Sequence, residues 1–358
     1  MAEHGSQTPS ELGFRMPAEW HPHHSTWLTW PKDPETWPDR VTQVEEIYLE
    51  MISALTPHEI VNLLVDDDET EQVVRGRCSA AAASRIRFHH MQTVDSWIRD
   101  YGPNFLIGPN GAGAFNDWIF NAWGNKYEVL KQDDTVPQRL EPFLKMRRFS
   151  PAIVMEGGSI EVNGAGCVLT TEQCLLNPNR NPNLTREEIE QYLKDYLGVT
   201  KVLWLGEGIV GDDTDGHIDD IARFTASDVI VCAVEDDPAD ANYELLQDNL
   251  KRLRAMTDAR GKPFEIVTLP MPGIVGGSST TTRDLERLPA SYANFYIANN
   301  VVLLPVFGHE NDARATDTLQ RVFPTRRVIP IHCEPLVWGM GTIHCVTQQQ
   351  PRFSDRLV

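Results

Sequence analysis

Four times along this chain the same pattern recurs. Two short apolar runs joined by a tight turn are followed by an amphipathic helix and then by a third apolar run. The hairpins are Phe105–Ile107 with Ala114–Phe120 across Pro109-Asn110-Gly111, Ser159–Val162 with Cys167–Thr171 across Asn163-Gly164, His217–Phe224 with Val229–Val234, and Tyr292–Ala298 with Val301–Val306 across Asn299-Asn300. Asparagine and glycine accept the positive φ that such turns need. The predicted helices, near 135–146, 185–197, 238–256 and 312–323, carry apolar residues at spacings of three and four. Strands at 152–155, 201–205, 264–269 and 327–332 complete the units. The period is roughly 60 residues.

The ends of the chain supply the fifth copy. Residues 24–30 read as a strand flanked by prolines that bar a helix. A helix from Asp39 to about Thr56, a strand at Val61–Val65, an alanine-rich helix from Asp66 to Ala83 and a strand at Ile86–Met91 follow. The strand at 24–30 lacks a hairpin partner before it, and a strand expected at 341–347 lacks one after it. Pairing them closes a ring and removes exposed sheet edges. The expected fold is therefore a closed α/β ring of five units. Residues 1–13 read as a frayed terminus and 14–358 as one domain, because no linker rich in Gly, Ser or Pro interrupts them.

A ring brings equivalent loops to its axis, and here those loops carry unusual residues. They are Asp95-Ser96-Trp97-Ile98-Arg99-Asp100, Glu156-Gly157-Gly158, the acidic run Gly211 to Asp220, Gly273 to Thr282, and Gly339 to Cys345. One thiol, one imidazole and several carboxylates converge, with no lysine in the motifs. Taken singly each has an ordinary structural reading: Cys345 as a small buried side chain, His217 as a core histidine, Asp219 and Asp220 as a solvated face, Asp100 as a partner of Arg99. Their placement at equivalent ring positions favours a site.

Metal competes for such a set. Aligned on Gly216, a calcium loop requires Asp at 211 and Glu at 222, where this chain has Gly211 and Ala222. The dipeptides His332-Cys333 and His344-Cys345 lack the short spacing of zinc sites. Both metal readings are therefore the weaker ones. The better reading is a carboxylate pocket for a cation attacked by a thiol. A planar guanidinium pairs with carboxylates through two parallel hydrogen bonds. Asp100 and Asp219 can clamp it, Cys345 can attack its carbon, and His217 can exchange protons with the nitrogen that leaves. With His217 and Asp219 two residues apart on a predicted strand, both side chains face the same way.

A net charge of −19 argues against a nucleic-acid partner and suits a cationic ligand. No apolar run approaches membrane-spanning length. The polar first residues carry no secretory signal, and the 6 cysteines follow no pairing pattern, so the expected location is a reducing cytoplasm.

The motifs also resemble a known family. Met16-Pro17-Ala18-Glu19-Trp20, Thr26-Trp27-Leu28-Thr29-Trp30-Pro31, Trp97-Ile98-Arg99-Asp100-Tyr101-Gly102-Pro103, Glu156-Gly157-Gly158, Gly216-His217-Ile218-Asp219-Asp220, Ser291-Tyr292-Ala293-Asn294-Phe295-Tyr296 and Ile343-His344-Cys345-Val346-Thr347-Gln348-Gln349 stand in order. Over Phe14 to Gln350 the chain resembles the agmatine deiminases of the bacterial peptidylarginine-deiminase type, within the guanidino-group-modifying superfamily. The resemblance implies the pentein fold, a five-bladed α/β propeller of ββαβ units around a central active site. It implies Cys345 as nucleophile and His217 as general acid/base. Asp100 and Asp219 would bind the guanidinium, Asp213 would be a further substrate-binding residue, and Trp97 and Glu156 would line the pocket. The implied reaction is hydrolysis of agmatine to N-carbamoylputrescine and ammonia through an amidino-cysteine, without a cofactor. Family members often self-associate, so a homo-oligomer agrees with the resemblance.

The chain departs from the family pattern at Met340 and Thr342, where Gly-Gly-Gly-Asn or Gly-Gly-Gly-Gly usually precedes Ile-His-Cys. Asn300 also stands where glycine is common. The loop change bears on substrate fit, which leaves two alternatives. One is a deiminase of free or peptidyl arginine, which should place a cation at the far end of the pocket. The other is a guanidino-compound binding protein without turnover. Arg99, the cation nearest the motifs, is expected to face away from Asp100.

Overall fold

The computed structural model describes residues 7–276 and 287–354. Its strands are β1 (His23–Thr29), β2 (Ile60–Val65), β3 (Ile86–His90), β4 (Asn104–Ile107), β5 (Gly113–Asn116), β6 (Arg147–Phe149), β7 (Glu161–Val162), β8 (Cys167–Thr171), β9 (Lys201–Leu205), β10 (Ala222–Ala226), β11 (Val229–Val234), β12 (Glu265–Pro270), β13 (Tyr296–Ile297), β14 (Val301–Val306), β15 (Arg327–His332) and β16 (Gln348–Pro351). They form five mixed sheets: β4-β5-β6, β7-β8-β9, β10-β11-β12, β13-β14-β15 and the four-stranded β16-β1-β2-β3. In every sheet an antiparallel pair is followed by a parallel one, with a helix as the crossover. This is the pentein α/β propeller of ββαβ repeats.

The ring closes where β16 pairs antiparallel with β1, Thr26 opposite Gln349 and Trp27 opposite Gln348. The last residues of the sequence thereby complete the first sheet. The crossover helices pack one face on the sheets: Val44, Ile47, Tyr48, Met51, Ile52 and Leu55 of Val41–Leu55 are buried, as are Ile189, Leu193 and Leu197 of Arg186–Leu197. Thr185 and Glu188 form a reciprocal capping box at the start of the second of these helices.

Several boundaries differ from the sequence-based expectation. The strand expected at 341–347 is a turn around Cys345, and β16 begins only at Gln348. The backbone there curls so that Val346 N–H reaches Thr342 O, while the Thr347 hydroxyl satisfies the carbonyls of Ile343 and His344. His217 likewise precedes a short 3-10 turn, Ile218–Asp220, and β10 starts at Ala222, so alternation along a strand does not orient His217 and Asp219. In the sheet β4-β5-β6 the third strand is Arg147–Phe149 rather than 152–155, because the helix Val136–Leu144 stops at Lys145 in the left-handed region. The alanine-rich helix is two, Asp68–Arg77 and Ala80–Ala83, with Ser79 capping the second. The helix of the fourth sheet in chain order starts at Tyr243.

Of the stretch 1–13, residues 1–6 lie outside the described residues and Ser10–Leu12 forms a 3-10 turn. Residues 277–282 of the loop from Gly273 to Thr282 also lie outside them. No helix among the described residues is long and apolar enough to cross a membrane.

Candidate active site

At the ring axis lies a cavity of about 160 Å³. Asp95, Trp97, Asp100, Asp213, Thr214 and Cys345 line it, together with Trp123, Tyr127, Asp33, Glu35 and Met340. Of the residues singled out in the sequence, Cys345, Asp100, Trp97 and Asp213 reach the wall. His217, Asp219 and Glu156 stand behind it.

Cys345 sits on its turn with only 8% of its surface exposed. Asn294 Nδ2 donates to the sulfur at 3.2 Å, and Asn294 Oδ1 in turn accepts from the Thr342 hydroxyl (2.7 Å) and from His344 N–H (3.0 Å). One carboxamide thus pins both sides of the cysteine loop, and Thr342 orients it. Burial pushes the Cys345 thiol well up, and the charges of Asp219, Asp220 and Asp100 push it further. Gly341 is required here. A Cβ on it would lie 2.7 Å from the Trp97 ring and 3.2 Å from the Cys345 sulfur.

Asp100 lies on the one-turn helix Ile98–Tyr101, buried. Its Oδ2 accepts from Trp123 Nε1 and its Oδ1 from Gly158 N–H, both at 2.9 Å. Burial, reinforced by Asp219 and Glu156, raises its carboxyl to about 6. Asp219 offers the opposite arrangement. His344 Nδ1 meets its Oδ2 at 2.7 Å, and Oδ1 is buried without a hydrogen-bond partner. Burial opposes its ionisation, but the hydrogen bond and charge of His344 prevail and lower its pKa. Its carboxylate is 3.9 Å from the Cys345 sulfur. The second nitrogen of His344 contacts Glu19 Oε2 at 2.7 Å.

His217 Nδ1 is 3.8 Å from Asp100 Oδ1, and Nε2 is buried without a partner. Burial alone would discharge this imidazole. Asp100, Cys174 and Glu156 around it outweigh burial and hold it protonated well above the usual histidine range. Gly158 makes room for the contact, since a Cβ there would lie 2.5 Å from His217 Nδ1 and 2.8 Å from Asp100 Oδ1. Glu156 is tied to Arg180 Nε at 2.6 Å and supports His217 from behind.

Trp97 is held by Asp95, which accepts from its indole at 2.9 Å and from the Thr36 hydroxyl at 2.7 Å. Asp213 accepts from the Tyr127 hydroxyl. Arg99 turns away from Asp100, as expected, to His344 O and Gln349 Oε1. Two buried groupings could in principle hold a cation: Glu156 with Cys174 and His217, and Glu19 with Glu161 and His344. In both, an arginine already neutralises the carboxylates: Arg180 on Glu156 and Arg223 on Glu19 and Glu161.

Trp123, Asn294, Tyr127 and His344 are contributors that reading the sequence missed. Trp123 could not have been found from pattern, because its backbone is left-handed at φ 52° and only the fold aims its indole at Asp100. His344 and Asn294 stood inside quoted motifs, but their partners are distant in sequence.

The fold and this convergence of thiol, imidazole and paired carboxylates define the chain as a pentein of the guanidino-group-modifying superfamily. The comparisons narrow the class. Residues 15–351 match the family described as Porphyromonas-type peptidyl-arginine deiminase, and the chain belongs to that family. A Legionella pneumophila protein is 40% identical over 355 residues, covering 98% of each chain. The agmatine deiminase of Stutzerimonas stutzeri is 37% identical, with 97% of this chain and 98% of that one covered. The solved structure of the agmatine deiminase of Enterococcus faecalis superposes with a TM-score of 0.92 at 37% identity, covering 97% of this chain and 98% of its own.

Proposed function

We propose that this protein hydrolyses agmatine to N-carbamoylputrescine and ammonia. The observation that carries this reading is the lining of the cavity. Beyond Cys345 and Asp100 its described residues include the carboxylates Asp33, Glu35, Asp95 and Asp213, and no lysine or arginine. A guanidinium at one end and a primary ammonium at the other match that lining. The carboxylate of arginine does not, since it would be buried among acids without a cation.

The steps follow from the geometry. Asp100 on the cavity wall and the unpartnered Oδ1 of Asp219, buried just behind the wall beside Cys345, are the two acceptors for the guanidinium, and together they set its carbon against the sulfur. Burial first, and then the charges of Asp219, Asp220 and Asp100, keep Cys345 protonated. The incoming positive charge offsets them, the thiol proton leaves to solvent, and the thiolate attacks the guanidinium carbon. His217, held protonated, donates to the departing nitrogen, and ammonia leaves the tetrahedral adduct. The product of this step is an amidino-cysteine. The now neutral His217 takes a proton from water as the hydroxide adds to the same carbon; collapse of this second adduct breaks the C–S bond, its hydroxyl proton passes to the departing Cys345 sulfur, and N-carbamoylputrescine leaves with the thiol restored. No step calls for a metal. A working thiol nucleophile agrees with a reducing, cytoplasmic setting.

The test is ammonia release from agmatine, arginine and a blocked arginine peptide, with Cys345→Ala as control. Release from agmatine alone, lost in the variant, is the expected result. Release from arginine or the peptide would overturn the substrate, and no release with retained agmatine binding would make the protein a binder.

A further inference from the structure

Met340 is, with Thr342, one of the two residues that depart from the usual cysteine loop, and its backbone stands at φ 75°, a region that side chains rarely adopt. Its side chain lines the active-site cavity. It also lines a second cavity of about 430 Å³, walled by Val210, Gly211, Arg287 and Leu288. Three residues are common to both: Tyr127, Asp213 and Met340. Tyr127 and Asp213 are tied together by the tyrosine hydroxyl. Met340 is therefore the flexible, apolar part of the partition.

We infer that Met340 sets the length limit of the substrate by closing the active-site cavity off from this outer chamber. The inference rests on the guanidino-hydrolase reading and specifies its substrate class. With Met340 in place, the site takes a guanidine whose tail ends in a bare ammonium near Asp213. With the partition removed, the tail extends past Asp213 into the chamber, whose Val210 and Leu288 suit an acyl group. Arg287 contributes little charge there, because it is paired with Asp240 at 2.6 Å.

The experiment compares agmatine with its N-acetyl derivative, in which an amide replaces the ammonium. Met340→Gly and Met340→Ala open the partition, and Met340→Leu keeps its bulk. Affinity is read from quenching of tryptophan fluorescence in the Cys345→Ala background, and kcat/KM from ammonia release with Cys345 intact. The expected result is a roughly tenfold rise in the N-acetylagmatine to agmatine ratio for the glycine and alanine variants, with the leucine variant unchanged. Equal ratios in all variants would overturn the inference. If no variant releases ammonia while the affinity ratio still rises, the proposed reaction fails and the role of Met340 stands.

Discussion

Replacing Gly158 by alanine puts one methyl group into the contact on which the proposed acid/base chemistry depends. Gly158 is not at positive φ, so its backbone accepts alanine without strain. The added Cβ, however, would lie 2.5 Å from His217 Nδ1 and 2.8 Å from Asp100 Oδ1, where ordinary contact begins at 3.4 Å. The imidazole or the carboxylate must therefore retreat by somewhat under ~1 Å, and a displacement of that size in a reacting group costs on the order of a hundredfold in rate. That equals about 2.7 kcal/mol of transition-state stabilisation. Overpacking adds a stability loss of about 1–3 kcal/mol, which the unfolding midpoint reports separately. The assay is steady-state ammonia release from agmatine on protein shown to be folded by circular dichroism. Near wild-type kcat/KM in folded Gly158→Ala would refute the assignment of His217 and Asp100 as a matched pair.

Other outcomes follow from the same geometry. The Asp100 carboxyl is raised to about 6, and in the proposed reaction it binds the guanidinium only when ionised, so kcat/KM should rise as pH increases through about 6; a profile flat from pH 5 to 7 would contradict that role. Replacing His344 by glutamine loosens Asp219, since one of its oxygens is held by that ring. The expected effect is a KM roughly tenfold higher with a smaller change in kcat, and a fall in kcat alone would count against a positioning role. Thr185→Ala removes one half of a capping box far from the cavity and should lower stability by about 1 kcal/mol, read by urea unfolding, without changing kcat.

Reading the chain reached the ring because its evidence is local. Asn163-Gly164 and Asn299-Asn300 mark turns by their own backbone preferences, and apolar alternation marks the strands around them. The orphan strands at the two ends were legible for the same reason, although the closing strand proved to be Gln348–Pro351. Ile343 to Thr347 has the β-branched composition of a strand, yet Asn294 and the Thr347 hydroxyl hold it as a turn. Motif and resemblance single out Cys345, Asp100, Asp219 and His217, but the strand expected to align His217 with Asp219 is a 3-10 turn.

Sequence alone established the repeat, its closure and the chemical types that converge, because turn preference and hydrophobic period belong to neighbouring residues. It did not contain which oxygen of Asp219 stays unpartnered, which indole holds Asp100, or that Glu156 is claimed by Arg180. Nor did it show that Met340 stands between two cavities. These depend on distances between residues far apart in the chain, which exist only once the five sheets have packed around one axis.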